Sequence, residues 1–205
     1  MIVREQAAMP AVDASVRSPS SGADANTAAL PSVTIGLPVF NGGETLAKAL
    51  ATLVAQDYPN LRIVISDNAS TDGTLATCEA FAERDPRIRI IRKRLNEGAV
   101  SNFRTVLEAA DSEYFMWAAA DDYWHPQFIR TLLPALEADS AVGVAMCAVR
   151  RSLPDGTFFD LIRFRDAGCP NDRNHFQLFE QIVSGAKLNL FIYGVFRTRL
   201  LKGAM

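Results

Sequence analysis

The sequence has no Gly-x-Gly-x-x-Gly after its first apolar run and no Gly-x-x-x-x-Gly-Lys-Ser/Thr anywhere. Dinucleotide oxidoreductases and phosphate-loop ATPases hold phosphates on the backbone N–H groups of such loops, so neither class is expected. Cysteine is scarce: Cys78, Cys147 and Cys169 lie far apart, three in number, without metal-ligand spacing. They read as reduced, packed thiols of a cytosolic protein. No run approaches the ~20 apolar residues of a membrane span; the longest candidate, Leu188 to Phe196, is broken by Asn189 and Gly194. No apolar segment of a secretory signal follows Arg4. A formal charge of −2 gives no electrostatic reason to expect a nucleic-acid partner. The basic cluster Arg84, Arg87, Arg89, Arg92, Lys93 and Arg94 alternates with Ile88, Ile90 and Ile91. It reads as the solvent face of a strand in preference to a phosphate- or membrane-binding stripe. A soluble, cytoplasmic protein is the expectation.

What is present is one domain's worth of alternating pattern. The chain's 205 residues suffice for a single α/β domain. Residues 1–31, rich in Ala, Ser, Asp and Pro, carry no periodic apolar pattern and are expected to be a disordered leader. The domain is expected over residues 32–205. Ser32 to Phe40 is an apolar, β-branched run ending at Asn41-Gly42-Gly43. Leu46, Leu50, Leu53 and Val54 then recur at helical spacing between Glu44 and Ala55. Leu61 to Ser66 predicts a second strand, with a helix to Glu83 and a third strand over Ile88 to Arg92. Val100 to Ala110 predicts a helix, Tyr114 to Ala118 a strand, and His125 to Ala138 a helix with Pro126 in its first turn. Val142 to Arg151 and Gly156 to Leu161 flank Leu153-Pro154-Asp155-Gly156 and read as a hairpin. Four strand–helix alternations predict an α/β, Rossmann-like, doubly wound and mainly parallel sheet with helices on both faces.

In such sheets ligands bind beyond the carboxyl ends of the strands, near a topological switch point. Three of the four segments there are dense in acids and amides. Asp121 and Asp122 follow the strand Tyr114 to Ala118; two adjacent acids repel each other and suit a hard divalent cation, Mg2+ or Mn2+. The plainer reading has one of them capping the next helix. Asp67 could accept from the imide N–H of uracil and Asn68 could bond a base or ribose oxygen. Asp72 or Thr71 reads as a helix cap. Trp117, Tyr123 and Trp124 flank the paired acids, with sugar stacking or core packing both open for Trp124. His175, before a short amphipathic segment Phe176 to Ile182, reads as a cap or surface residue.

In order and type, five segments resemble family 2 glycosyltransferases of the GT-A fold. They are Thr34 to Asn41 with Glu44 behind, Ile63 to Gly73, Asn96-Glu97-Gly98, Phe115 to Asp122, and Tyr193 to Arg197. The resemblance implies that Pro38, Phe40 and Asn41 shape the nucleotide-sugar pocket and that Glu44 sits near the base or ribose. It implies that Asp67 holds a uracil-like edge with Asn68 beside it, that Asp121 contacts ribose or sugar, and that Asp122 ligates the metal. Arg104 is a weaker candidate for the donor phosphates, with helix-surface packing favoured. The DxD-type element lacks the further acid that many relatives carry at the position of Ala119.

The implied reaction is inverting, metal-dependent transfer from a nucleotide diphosphate sugar, UDP first, to a glycan or lipid-linked acceptor. That setting would bring peripheral contact with the inner membrane. In the family the base comes from an acidic segment after the Gly-x-Phe-Arg stretch. Here that stretch is Gly194 to Arg197, and no acid follows Glu180. A truncated chain lacking its base, incomplete on the acceptor side, is therefore expected, with Asp155, Asp160, Asp166 and Asp172 as internal alternatives. The rival readings are a non-catalytic nucleotide-binding module and a nucleotidyltransferase. The second is disfavoured because Leu37 to Gly43 contains no Arg or Lys.

Overall fold

The computed structural model describes residues 30–153, 157–162 and 193–203. Strand β1 (Val33–Val39) is followed by α1 (Thr45–Val54), β2 (Leu61–Asp67), α2 (Thr74–Ala82), β3 (Ile88–Arg92), α3 (Ala99–Glu108), β4 (Tyr114–Trp117) and α4 (Phe128–Ala138). Four shorter strands and a last helix follow: β5 (Val144–Ala145), β6 (Val149–Ser152), β7 (Phe158–Ile162), β8 (Val195–Arg197) and α5 (Thr198–Gly203).

The main sheet runs β3-β2-β1-β4-β8-β5. Its first four strands are parallel, and β8 enters antiparallel between β4 and β5. The chain steps outward from β1 to β3 and then returns past β1 to form β4. That reversal is the topological switch point, as expected of a doubly wound sheet. Alternation of side chains divides the core into two layers. Val33, Ile35, Leu37 and Val39 of β1 pack with Leu46, Leu50, Leu53, Ile129 and Leu136 of α1 and α4. Val64, Phe115 and Trp117 face the other way, against Val106 and Leu107 of α3. Gly36 lies in this second layer. A Cβ there would stand 2.5 Å from Phe115 Cζ and 2.8 Å from Val106 Cγ2, so its absence lets the ring rest on the β1 backbone.

The sequence expectations are met for the alternation and corrected in detail. Leu30 and Pro31, assigned to the leader, are fastened to the domain: their carbonyls accept from Asn60 Nδ2 at 2.7 Å and Tyr58 OH at 2.6 Å. Helix α4 starts at Phe128 and not at His125. The His125 carbonyl accepts from Gln56 Nε2 at 2.9 Å and that of Pro126 from Asp57 N at 2.8 Å, which holds this segment as a turn against α1. The run Val142 to Arg151 is two strands, β5 in the main sheet and β6 paired with β7 in a separate antiparallel hairpin. Among the described residues no helix is long and apolar enough to cross a membrane. Of the basic cluster, Arg84, Arg89, Arg92 and Arg94 face solvent, whereas Arg87, paired to Asp85, is partly buried and the Lys93 side chain, paired to Glu97, is only 9% exposed.

Candidate nucleotide-sugar site

The crevice opens where β1 and β4 part. Ala118 donates to the Gly36 carbonyl at 2.9 Å. In a parallel ladder the next donor on that side of β1 is residue 38, which is proline and has no N–H. The ladder to β4 ends at Gly36–Trp117, while the pairing to β2 continues to Val39–Asp67. Pro38 therefore coincides with the point at which the two strands separate.

On the β2 side, two loops are joined into a wall. Asn41 has a left-handed backbone, φ 51°. Its N–H donates to Ser70 Oγ at 2.9 Å and its Oδ1 accepts from Thr71 N at 2.9 Å. Gly42 N donates to Thr74 Oγ1 at 2.7 Å and Gly43 N to Asp72 Oδ2 at 3.3 Å. The other oxygen of Asp72 accepts from Thr74 N at 2.9 Å, at the first residue of α2, although the N-cap position itself is Gly73 and carries no side-chain cap. These bonds, those from Thr74 first, hold the Asp72 carboxyl below its usual range. Phe40 stands half-exposed beside the wall, and Glu44, exposed at the start of α1, has no hydrogen bond among the described residues.

Asp67 is buried, with 3% of its surface exposed. Its Oδ1 accepts from Ser70 N at 3.2 Å, and its second oxygen makes no hydrogen bond among the described residues. Asn68 is used differently. Its Nδ2 donates to Asn96 Oδ1 at 2.8 Å and to the Gly98 carbonyl at 3.3 Å, and its Oδ1 accepts from Glu97 N at 3.1 Å. The side chain thus anchors the loop Asn96-Glu97-Gly98 and has no donor left for a base or ribose. Gly98, at φ 84°, takes a backbone conformation that L side chains rarely adopt.

Beneath this wall lies a group the sequence reading missed. Asn102 of α3 is buried; it accepts from Ser66 Oγ at 2.6 Å and donates to the carbonyls of Ser66 at 3.0 Å and Val39 at 3.3 Å. One amide ties the ends of β1 and β2 to the helix. The available signal was an asparagine at the inward position, four residues before Val106.

Across the switch point, Asp121 and Asp122 follow β4. Neither caps α4, which begins after Gln127 without a side-chain cap, so the plainer reading of the pair is set aside. Neither makes a hydrogen bond or ion pair among the described residues. Neighbouring protein atoms push the Asp122 carboxyl up, and the Asp121 charge adds to this, although the residue is exposed. Among the described residues no three His, Cys, Asp or Glu side chains converge as a complete metal cage. An oxygen pair with crowded like charge still fits a hard cation that keeps water and phosphate in its remaining positions. Trp124 is buried in the core, and Trp117 stacks edge-on to Phe115 at 4.9 Å, so both are packing residues here; Tyr123 is exposed. Arg104 is exposed on α3. Arg197 is structural, donating to the carbonyls of Leu136, Asp139 and Val142 and to Tyr114 OH. Of the internal base candidates only Asp160 lies in the described residues, on β7 in register with Arg151; Asp155, Asp166 and Asp172, and the segment of His175 to Ile182, lie outside them.

A crevice of this kind, with no glycine-rich phosphate loop, matches one family over most of the chain: residues 34–200 match glycosyl transferase family 2. The chain belongs to that family. This family 2 chain is 25% identical to the glycosyltransferase GlyG of Streptococcus pneumoniae serotype 4 over 134 residues, 65% of this chain and 44% of that protein. It is 32% identical over 114 residues to GlyA of the same organism, 54% of this chain and 16% of that protein. The fold is shared with the mannosyltransferase PcManGT from Pyrobaculum calidifontis, solved in complex with GDP-Man and Mn2+ (TM-score 0.61, 24% identity, 85% of this chain and 46% of that one). S. aureus TarS 1-349 in complex with UDP-GlcNAc is similar too (TM-score 0.56, 18% identity, 84% of this chain and 47% of that one). The family 2 chain therefore spans about half or less of the lengths of these relatives, and its sheet is of their GT-A, Rossmann-like type.

Proposed function

We propose that this chain forms the donor-binding part of a glycosyltransferase that moves a sugar, with inversion, from a nucleotide diphosphate sugar to a glycan or lipid-linked acceptor. The observation that carries the reading is the pair Asp121 and Asp122, without a partner among the described residues in the segment after β4, together with the pre-built wall of Asn41, Asp67 and Ser70 beyond the ends of β1 and β2. Asp67, with one oxygen still open, accepts from a base N–H; UDP is the first candidate and GDP the alternative that the P. calidifontis neighbour's ligand brings in. Phe40, Glu44 and the end of β1 at Pro38 border the base and ribose. Asp121 faces ribose or sugar, and Asp122 would hold Mg2+ or Mn2+. Bound there, the cation would supply positive charge to the departing diphosphate, the part a phosphate loop plays in other nucleotide enzymes. We place the reaction in the cytoplasm, with peripheral contact to the inner membrane where the acceptor is lipid-linked.

The test is calorimetric titration of UDP and of GDP, with and without Mn2+, into wild type and Asp122→Ala. Binding that needs the metal and disappears in the variant supports the reading. A folded wild type that binds neither nucleotide overturns it.

A further inference from the structure

Tyr193 lies two residues before β8, and the antiparallel pairing of β8 with β4 carries it toward the end of β4 from which the paired acids extend. Its ring is partly buried against the Phe115–Trp117 layer. The backbone beside it is tightly held: a Cβ on Gly194 would stand 2.8 Å from both the Ala145 carbonyl and Val144 Cγ2 of β5. Tyr193 is thus presented from a packed strand end. Its hydroxyl makes no hydrogen bond among the described residues. Burial pushes this phenol up to about 12, with Asp122 and then Asp121 adding to the effect. At neutral pH it is a neutral donor and not a base.

We propose that Tyr193 is a further residue of the donor site, giving a hydrogen bond from its hydroxyl to the diphosphate of the nucleotide sugar. The inference rests on the donor-binding reading. Two carboxylates alone repel a diphosphate; a neutral hydroxyl beside them adds an attractive contact without adding charge that the free protein must bear. Once the carboxylates face a cation, their lone pairs are directed to it, and the phenol proton is left for the ligand's oxygens.

Tyr193→Phe removes the hydroxyl and keeps the ring that packs on the Phe115–Trp117 layer. UDP and GDP, each in Mn2+, are titrated into wild type and variant, and uridine and guanosine binding is followed by NMR shifts as a control. The expected result is about tenfold weaker binding of the diphosphate that wild type binds. Nucleoside shifts and the thermal midpoint are expected to stay unchanged. Equal affinity of variant and wild type for the diphosphate overturns the proposal alone. Parallel weakening of nucleoside and diphosphate overturns it too, because that pattern reports a disturbed fold. If wild type binds neither diphosphate, the donor-binding reading has failed and this proposal falls with it.

Discussion

On the β2 side of the crevice, Asn41, Asn68 and Asp72 have committed their polar atoms to neighbouring loops, whereas on the β4 side Asp121 and Asp122 have no partner among the described residues. The first side is shaped before any ligand arrives. The second is electrostatically strained until something positive joins it. A base is a flat neutral object that a rigid wall selects by its edges, so preorganisation lowers the cost of ordering on binding. A diphosphate carries charge, and residues that meet it through a metal must stay exposed and unsatisfied. The two sides should therefore fail in different ways when altered.

The largest effect is expected from Asp122→Ala. Nucleoside diphosphate affinity in Mn2+ should fall by more than the roughly 10- to 100-fold that loss of an outer-shell partner costs. The thermal midpoint of the ligand-free protein should not fall, because a crowded like charge has been removed. Calorimetry and differential scanning measure the two separately, and a drop in stability would contradict the strained state assigned to the acids.

Asn102→Leu attacks the wall from below. Ser66 Oγ and the carbonyls of Ser66 and Val39 lose their amide partner in buried surroundings, with an expected loss of about 2–4 kcal/mol in denaturant unfolding. Nucleotide binding should weaken with and without metal alike, unlike the Asp122 variant. Asn41→Ala should cost less, about 1–2 kcal/mol, from the lost bond to Thr71 N and the strain of a Cβ residue at φ 51°. Asn41→Gly removes the same side-chain bond without the strain, so it should be the milder of the two in the same unfolding measurement.

The smallest effect separates the sides by pH. Asp122 has a raised pKa, so it takes up its proton first as pH falls, and metal affinity should decline from above the ordinary carboxylate value of 3.8. Asp72 has a depressed pKa, so its contribution to stability is present above 3.8 and is lost only as pH falls through its lower folded value. Between the two, Mn2+ should no longer improve nucleotide binding while the NMR signals of Asn41 to Gly43 stay native. Simultaneous loss of both would remove the distinction.

Much of this architecture was legible because it is local. The runs Val33–Val39, Leu61–Asp67 and Ile88–Arg92 carry strand composition between turn residues, and α1 carries its apolar stripe in sequence. Asp121 and Asp122 stood out as paired acids at a strand end. What was not legible depends on distant partners. The three residues of β8 have no periodicity to detect, and their place is set by pairing with β4 and β5, far away in the chain. The start of α4 was shifted by Gln56 and Asp57, which accept no local signal from His125. Asn68 looked like a ligand contact because an asparagine at a strand end can serve either use. Only the placement of Asn96 to Gly98 against it distinguishes the two.

The placement of β8 also orders the birth of the domain. Strands β1 to β3 pair with partners about 25 to 28 residues away, so the wall and its loops can assemble early. β5 cannot, because its partner in the sheet is β8, made about fifty residues later, and β8 must slot between two strands already synthesised. Until it does, one flank of β4 is a bare edge open to pairing with another chain. That flank of β4 thus closes later in synthesis than the wall, and a chaperone has reason to guard it.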